Sequence, residues 1–291
     1  MKFARLGPVG QELPVVVLDG EVRSIAGLTA DIDASFWADD GPQRVAAALA
    51  NGGLADGTLP VVRDADRLRI GSPIARPGSI ICIGMNYAAH CAETGADSPE
   101  HPVLFFKASN TLAGPHDTVT IPRNSVKTDW EVELGVVIGK QVSYLDSPAE
   151  ALDHVAGFVT VNDLSEREFQ MEVSGGQWSK GKSCPGFSPV GPWLVTPDEV
   201  EHQSLGLRSF VNGEPRQDST TADQIFDVAF VIHHLSQFMT LDPGDLIMTG
   251  TPEGVAVSGR YAYLTPGDVV EVEIDGLGRQ RQEYVAFGND R

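Results

Sequence analysis

Two glutamates two residues apart, Glu131 and Glu133, open an otherwise apolar run that continues Leu134-Gly135-Val136-Val137-Ile138-Gly139. On a strand, residues two apart share a face. One face then carries Trp130, Val132, Leu134, Val136 and Ile138, and the other Glu131, Glu133, Gly135, Val137 and Gly139. Past the glutamates the second face is small and apolar, as on a strand covered on both sides, so the two carboxylates point into an interior or a cleft. There they repel each other and lose hydration, and a bound cation relieves both costs. The same spacing recurs at Glu271 and Glu273, but without apolar residues continuing that face, which reads as a half-exposed structural strand. Spacing alone therefore serves a metal site and a solvated strand face equally well. Asp163, at the end of the apolar run 156–162, is the third carboxylate candidate, although a strand end is also a common place to begin a loop. Three carboxylate oxygens suit Mg²⁺ or Mn²⁺.

Other residues could act beside such a centre. His90 and Glu93 share a face if their segment is helical. A carboxylate on one imidazole nitrogen fixes the tautomer and leaves the other to activate water, though by spacing alone a surface pair is the commoner outcome. Lys182, in the Gly- and Ser-rich stretch 174–188, reads by itself as a loop lysine, and Lys180 is close enough to be confused with it. Arg167, Gln170 and Lys107 are candidate substrate contacts. The turn 249–252, with Gly250 and Thr251, could offer backbone N–H groups and a hydroxyl to a carboxylate. His233 and His234 are adjacent and point apart on a helix, which fits packing better than metal ligation.

The elements that must hold these residues are mostly short strands. Segments 79–84, 103–107, 119–121, 130–139, 156–162, 246–249 and 269–274 carry strand patterns, the last two introduced by Pro-Gly-Asp turns. Helical character is expected at 42–50, 86–93 and 222–239, the last opened by a capping-box pattern at Thr221 and Gln224. Asp19-Gly20, between apolar runs, signals a hairpin. The fold class expected is mixed, β-rich α+β, with a small N-terminal α+β domain over 1–72 and a catalytic domain over 77–291.

The chain has 291 residues, of which 40 are acidic and 21 basic, a formal charge of −19 without a basic block. Nucleic acid and anionic membrane surfaces are poor partners for it. An anionic substrate would need a local positive centre, which a metal or a buried lysine supplies. Three sparse cysteines, Cys82, Cys91 and Cys184, do not form a disulfide framework, and no targeting segment or span of roughly 20 apolar residues is evident. The cytoplasm is the expected location.

Five ordered segments resemble a known family. GMNYAAHCAE over 84–93 is similar to the G-x-N-Y-x-x-H-x-x-E signature of the fumarylacetoacetate hydrolase family. WEVEL over 130–134 resembles its E-x-E metal strand, NDLSEREFQ over 162–170 its D-x-x-x-R-x-x-Q segment, WSKGKS over 178–183 its W-x-x-x-K-S segment, and GDLIMTGTPEGV over 244–255 its strand and turn. The resemblance implies a β-sandwich roll, homodimerisation, Mg²⁺ or Mn²⁺ on Glu131, Glu133 and Asp163, and a mobile lid around His90 and Glu93. It selects Lys182 over Lys180 as the cation that holds the substrate's oxo group. The stretches 178–196 and 235–255 are most similar to bacterial members described as 2,4-diketo-3-deoxy-sugar-acid hydrolases, often labelled ureidoglycolate lyases, with Pro185-Gly186 as a departure beside the site.

The reaction so implied is hydrolysis of a 2,4-dioxo acid. The metal chelates its carboxylate and 2-oxo group, water activated by His90 and Glu93 attacks the 4-oxo carbon, and pyruvate leaves as an enolate held by the metal and Lys182. Oxaloacetate decarboxylation, isomerisation of a 2-oxo diacid and ureidoglycolate cleavage are rival reactions at the same centre. A non-catalytic, metal-stabilised binding protein is the rival of another class.

Overall fold

The apolar alternation after Glu131 forms a strand whose two faces enter two different cores. In the computed structural model, which describes residues 1–288, every residue of Val132–Ile138 is buried. Val132, Leu134, Val136 and Ile138 pack into one hydrophobic core and Val137 into the other. Gly135 allows this fit: a Cβ there would stand 2.6 Å from a Val161 methyl and 2.7 Å from a Val159 methyl.

In chain order, the strands used below are β1 (Lys2–Leu6), β2 (Leu13–Leu18), β3 (Glu21–Ser24), β4 (Ile80–Gly84), β5 (Val103–Lys107), β6 (Val119–Thr120), β7 (Val132–Ile138), β8 (Val155–Asn162), β9 (Leu194–Val195), β10 (Gly206–Val211), β11 (Glu214–Thr220), β12 (Leu246–Met248), β13 (Val269–Ile274) and β14 (Gly278–Val285). The helices are α1 (Ala34–Ala38), α2 (Gly41–Ala50), α3 (Ala88–Glu93), α4 (Ser179–Lys182) and α5 (Val228–Ser236). The larger sheet runs β3–β2–β1–β9–β8–β7–β12–β4–β5, with Ile70–Gly71 pairing off β1. A five-stranded sheet runs β11–β10–β13–β14–β6. This is the mixed, strand-rich α+β architecture expected.

The two sheets sandwich the first core, which Val231, Ile232 and Leu235 of α5 also join. The second core lies on the other face of the large sheet, where Phe36 and Trp37 of α1 and Val45 of α2 pack against strand residues such as Ile80 and Leu246. The first three strands belong to the large sheet, because β1 pairs with β9 through Lys2↔Val195 and Phe3↔Leu194. Asp19 and Gly20 form the tight hairpin turn expected between β2 and β3, both with positive φ (49° and 82°). No helix among the described residues is long and apolar enough to cross a membrane.

The last helix differs from expectation. It begins at Val228, capped by Asp227, whose carboxylate accepts from the Phe230 N–H at 2.7 Å, and not at Thr221. Residues 221–223 form only a 3₁₀ turn. The residues between are held extended against the base of α3: Ile225 N–H donates to Asn86 O at 2.8 Å, Phe226 N–H donates to Asn86 Oδ1 at 2.8 Å, and Gln224 bridges to Tyr87. Tertiary hydrogen bonds override the local capping signal.

Candidate active site and metal centre

Antiparallel pairing brings the three acids together. β7 and β8 are in register with Val132 opposite Asn162, so Glu131, just before β7, meets Asp163, just after β8. Asp163 N–H donates to Glu131 O at 2.9 Å, and Glu131 N–H donates to Asn162 Oδ1 at 3.1 Å. Glu133 follows on the same face. One oxygen from each of Glu131, Glu133 and Asp163 lies within 4.8 Å of the others, and all three side chains are buried.

Cations surround this cluster. Lys182 Nζ donates to Glu131 Oε2 at 2.6 Å and to Asp163 Oδ2 at 2.7 Å. Its helix, α4, closes on residues 166–170 because residue 181 is glycine: a Cβ there would lie 2.3 Å from Glu166 O. Arg167 Nη2 is 2.7 Å from Glu131 Oε1, while its Nε donates to Asp129 Oδ2 at 2.8 Å and its Nη1 to Gln170 Oε1 at 2.9 Å. Lys107 lies behind Asp163, pairs with it, and also donates to Phe187 O (2.7 Å) and Leu164 O (3.1 Å). Lys180 is exposed and donates to Ser174 O, away from the cluster.

The charges set the protonation states. Burial would raise the Glu131 carboxyl, but Lys182 and Arg167 override it and hold it at about 2. Burial, then the charges of Asp163 and Glu131, push Glu133 well above the carboxylate range, and Lys182 and the Gly250 N–H offset this only in part. Burial would lower Lys182, but Asp163 and Glu131 hold it above an ordinary lysine. Lys182 is therefore a fixed cation at neutral pH, not a base. Asp129, Glu131 and Asp163 pair directly with Lys107, Arg167 and Lys182, three charges against three, while Glu133 has no cation of its own and accepts from the Gly250 N–H. A divalent cation fits this set: the donors are hard oxygens, Glu133 ionises on binding, and the single positive charge then left suits a substrate carboxylate.

His90 and Glu93 lie on α3 at the mouth of this centre. His90 Nδ1 is 2.9 Å from Glu93 Oε1, so that the assigned tautomer carries its proton on Nδ1. Glu93 also accepts from the Gly254 N–H, at 3.1 and 3.0 Å to its two oxygens. Residue 254 is a glycine at φ 103°, where a Cβ would stand 2.2 Å from Arg216 O. Asn86 anchors the helix from below, donating to Thr249 O at 2.7 Å and Phe226 O at 3.0 Å.

His90, Glu131, Glu133, Arg167, Gln170 and Lys182 line one cavity of about 490 Å³, and Thr251 joins them. Lys107 does not line it and has three acceptors inside the protein. The Gly250 N–H, expected to be open to a carboxylate, donates to Glu133 Oε2 at 2.8 Å, and the Thr251 hydroxyl donates to Val132 O at 2.9 Å. Both hold the acids and their strand in place.

Two buried residues were not singled out from sequence. Asp129 accepts from Arg167 and from the N–H groups of Trp130, Ala256 and Val257, so it fixes both the arginine and the 256–257 turn. Its position two residues before Glu131, on the same side of an extended segment, was the available signal. Gln217 on β11 donates to Thr251 Oγ1 at 2.7 Å and accepts from Val132 N–H at 3.0 Å, tying the second sheet to the site. Nothing local in the sequence around Gln217 marks it.

The model of the fumarylacetoacetate (FAA) hydrolase C-terminal family matches residues 79–285. A Burkholderia multivorans chain provisionally named a hydrolase is 47% identical over 286 residues, covering 97% of this chain and 98% of its own. A maleylpyruvate hydrolase from a Sphingobium species, solved with manganese(II) and pyruvate, is similar at a TM-score of 0.79 and 28% identity, with 98% of this chain and 99% of that one covered. A 5-carboxymethyl-2-hydroxymuconate delta-isomerase from Mycobacterium smegmatis is similar at a TM-score of 0.77 and 29% identity, covering 99% and 100%.

Proposed function

The chain belongs to the fumarylacetoacetate hydrolase family, and on that premise we propose that it is a Mg²⁺- or Mn²⁺-dependent hydrolase. It cleaves the C3–C4 bond of a 2,4-dioxo acid to give pyruvate and a carboxylic acid. The observation that carries this reading is one cavity lined by Glu131, Glu133, Lys182 and His90, with Asp163 completing the buried three-carboxylate cluster beside Lys182 and Glu93 paired to His90. Glu131, Glu133 and Asp163 would hold the metal, which supplies Lewis-acid polarisation of the 2-oxo acid. Lys182, permanently charged, neutralises the oxyanion that develops as C3–C4 breaks. Glu93 holds His90 by Nδ1, so that Nε2 can take a proton from water as its oxygen attacks the 4-oxo carbon. The bond's electron pair passes to the pyruvate enolate, whose C3 then takes a proton. Arg167, tied to both Asp129 and Glu131, keeps the first ligand oriented, and Gln170 is braced by Arg167 for a substrate contact.

A second reading is isomerisation of an unsaturated 2-oxo diacid, which the similarity to the Mycobacterium smegmatis isomerase favours. It shares the enolate but needs no attack by water. The test is pyruvate release from acetylpyruvate with Mg²⁺ or Mn²⁺, with EDTA, and with Glu131→Ala. Metal-dependent release abolished by the substitution is expected. Absence of release, with isomerisation of a 2-oxo diacid at the same metal-loaded site, would overturn hydrolysis.

A further inference from the structure

Beyond Lys182 the cavity changes character. The Phe105 ring lies 5.2 Å from Lys182 Nζ and packs edge-on against Trp178, with ring centroids 5.6 Å apart at 64°. Met85 and Val103 continue this wall where β4 and β5 pair through Gly84↔Val103. Trp178 can lie over the end of β4 because residue 84 is glycine: a Cβ there would stand 2.7 Å from its Cζ3. The lining cations, Arg167 and Lys182, are already bound to Asp129, Glu131 and Asp163. Among the described residues, the one ionisable side chain lining the cavity apart from the site groups is an acid, Asp97.

We propose that this wall receives an apolar acyl tail, so that the substrate is an acylpyruvate with an alkyl or aryl group beyond C4; the proposal rests on the hydrolase reading above. Among the described lining residues, a carboxylate-ended tail would find the acid Asp97 and no unpaired cation. A polyol tail, which the likeness to sugar-acid hydrolases suggested, would lose hydration against Met85, Val103, Phe105 and Trp178, whose side chains offer only the indole N–H of Trp178 in return. An alkyl tail loses nothing by leaving water and gains the transfer free energy of each methylene.

The test separates binding from turnover. The metal-loaded full-length protein is titrated calorimetrically with pyruvate, 2-oxobutanoate, 2-oxohexanoate, 2-oxooctanoate and 2-oxoadipate, none of which has the 4-oxo group needed for cleavage. Kd is expected to fall about threefold to fourfold per added methylene until the cavity is full. 2-Oxoadipate is expected to bind at least about tenfold more weakly than 2-oxohexanoate, the loss of one tenfold step for a carboxylate left without a cation. Trp178→Ala should flatten the chain-length series, and Trp178→Phe should keep most of it. A flat series in the unsubstituted protein, tighter binding of 2-oxoadipate, or no binding of any of the acids would overturn the proposal. Acetylpyruvate and hexanoylpyruvate are assayed in parallel for pyruvate release. Graded binding without release from either leaves the apolar subsite standing and removes the hydrolase reading. Release from both with a flat binding series does the reverse.

Discussion

Two strands of this molecule carry Glu-x-Glu, and they differ in nearly everything but spacing. Glu131 and Glu133 lead into β7, near the middle of the large sheet, with a core on each face. Glu271 and Glu273 lie on β13, whose Val270, Val272 and Ile274 are buried while the glutamates face outward, about a quarter exposed. The inner pair is held by Lys182, Arg167 and the Gly250 N–H inside the protein. The outer pair reaches Arg279, itself nearly half exposed, and Glu273 also reaches Arg208. Water solvates the outer charges whether or not the arginines stay, so they carry little free energy. The inner charges are buried and meet solvent only through the cavity, and each depends on its neighbours for its ionisation state. Desolvation, rather than the residue pattern, separates a reactive carboxylate pair from an ordinary one.

The comparison breaks most sharply by removing one acid from each strand. Glu131→Ala leaves Lys182 and Arg167 buried with a partner missing, a loss of about 3–5 kcal/mol by the behaviour of buried ion pairs. Glu271→Ala should cost less than about 1 kcal/mol. Chemical denaturation of the two variants beside the parent protein measures the difference. Equal losses would mean that Glu131 is better solvated than its burial indicates.

Glu133→Gln gives a smaller effect whose sign depends on metal. A carboxyl whose folded pKa is raised above its unfolded value binds its proton more tightly when folded. Without metal, stability therefore falls as pH rises from the ordinary carboxylate range towards the raised value. The glutamine cannot ionise, so the metal-free variant should be more stable than the parent at about pH 8 and close to it at about pH 5. With Mn²⁺ at about a hundred times its Kd, the parent should gain about 2.7 kcal/mol and the variant much less. Thermal melts at both pH values, with and without Mn²⁺, check both signs. Equal stabilisation of parent and variant by Mn²⁺ would remove Glu133 from the ligand set.

How far the sequence could be read follows the same division. The period-2 pattern of β7, the Asp19-Gly20 hairpin and the outward face of β13 are local, and each was legible from its own residues. The resemblance of five segments pointed to the acids, Lys182 and the His90–Glu93 pair; the structure places Glu131, Glu133, Lys182 and His90 on one cavity, with Asp163 bonded to Lys182 and Glu93 to His90. What was not legible depends on contacts distant in the chain. Lys107 looked like a substrate contact because nothing near it reveals that Asp163 and two carbonyls surround its ammonium. Gln217 reaches Thr251 and Val132 only once the two sheets meet. Thr221 and Gln224 carry a sound helix-start pattern, but Asn86, far earlier in the chain, holds residues 225 and 226 out of the helix.

The finest test of the comparison lies on the outer strand, where almost nothing should happen. Changing Glu271 and Glu273 together to glutamine removes their pairs with Arg279 and that of Glu273 with Arg208, but keeps the side-chain length. The expected cost is about 0.5 kcal/mol for each site. It should vanish at roughly 1 M salt, where the screening length falls to about 3 Å. Arg208 keeps Asp275 at 2.9 Å as a partner, so it is not left without an anion. Pyruvate release should be unchanged, because Val270, Val272 and Ile274, which carry the packing of β13, are untouched. A cost that survives high salt would mean that these glutamates are covered in solution. A fall in pyruvate release would mean that the outward face of β13 acts on the site through the sheet, and the division between the two strands would fail.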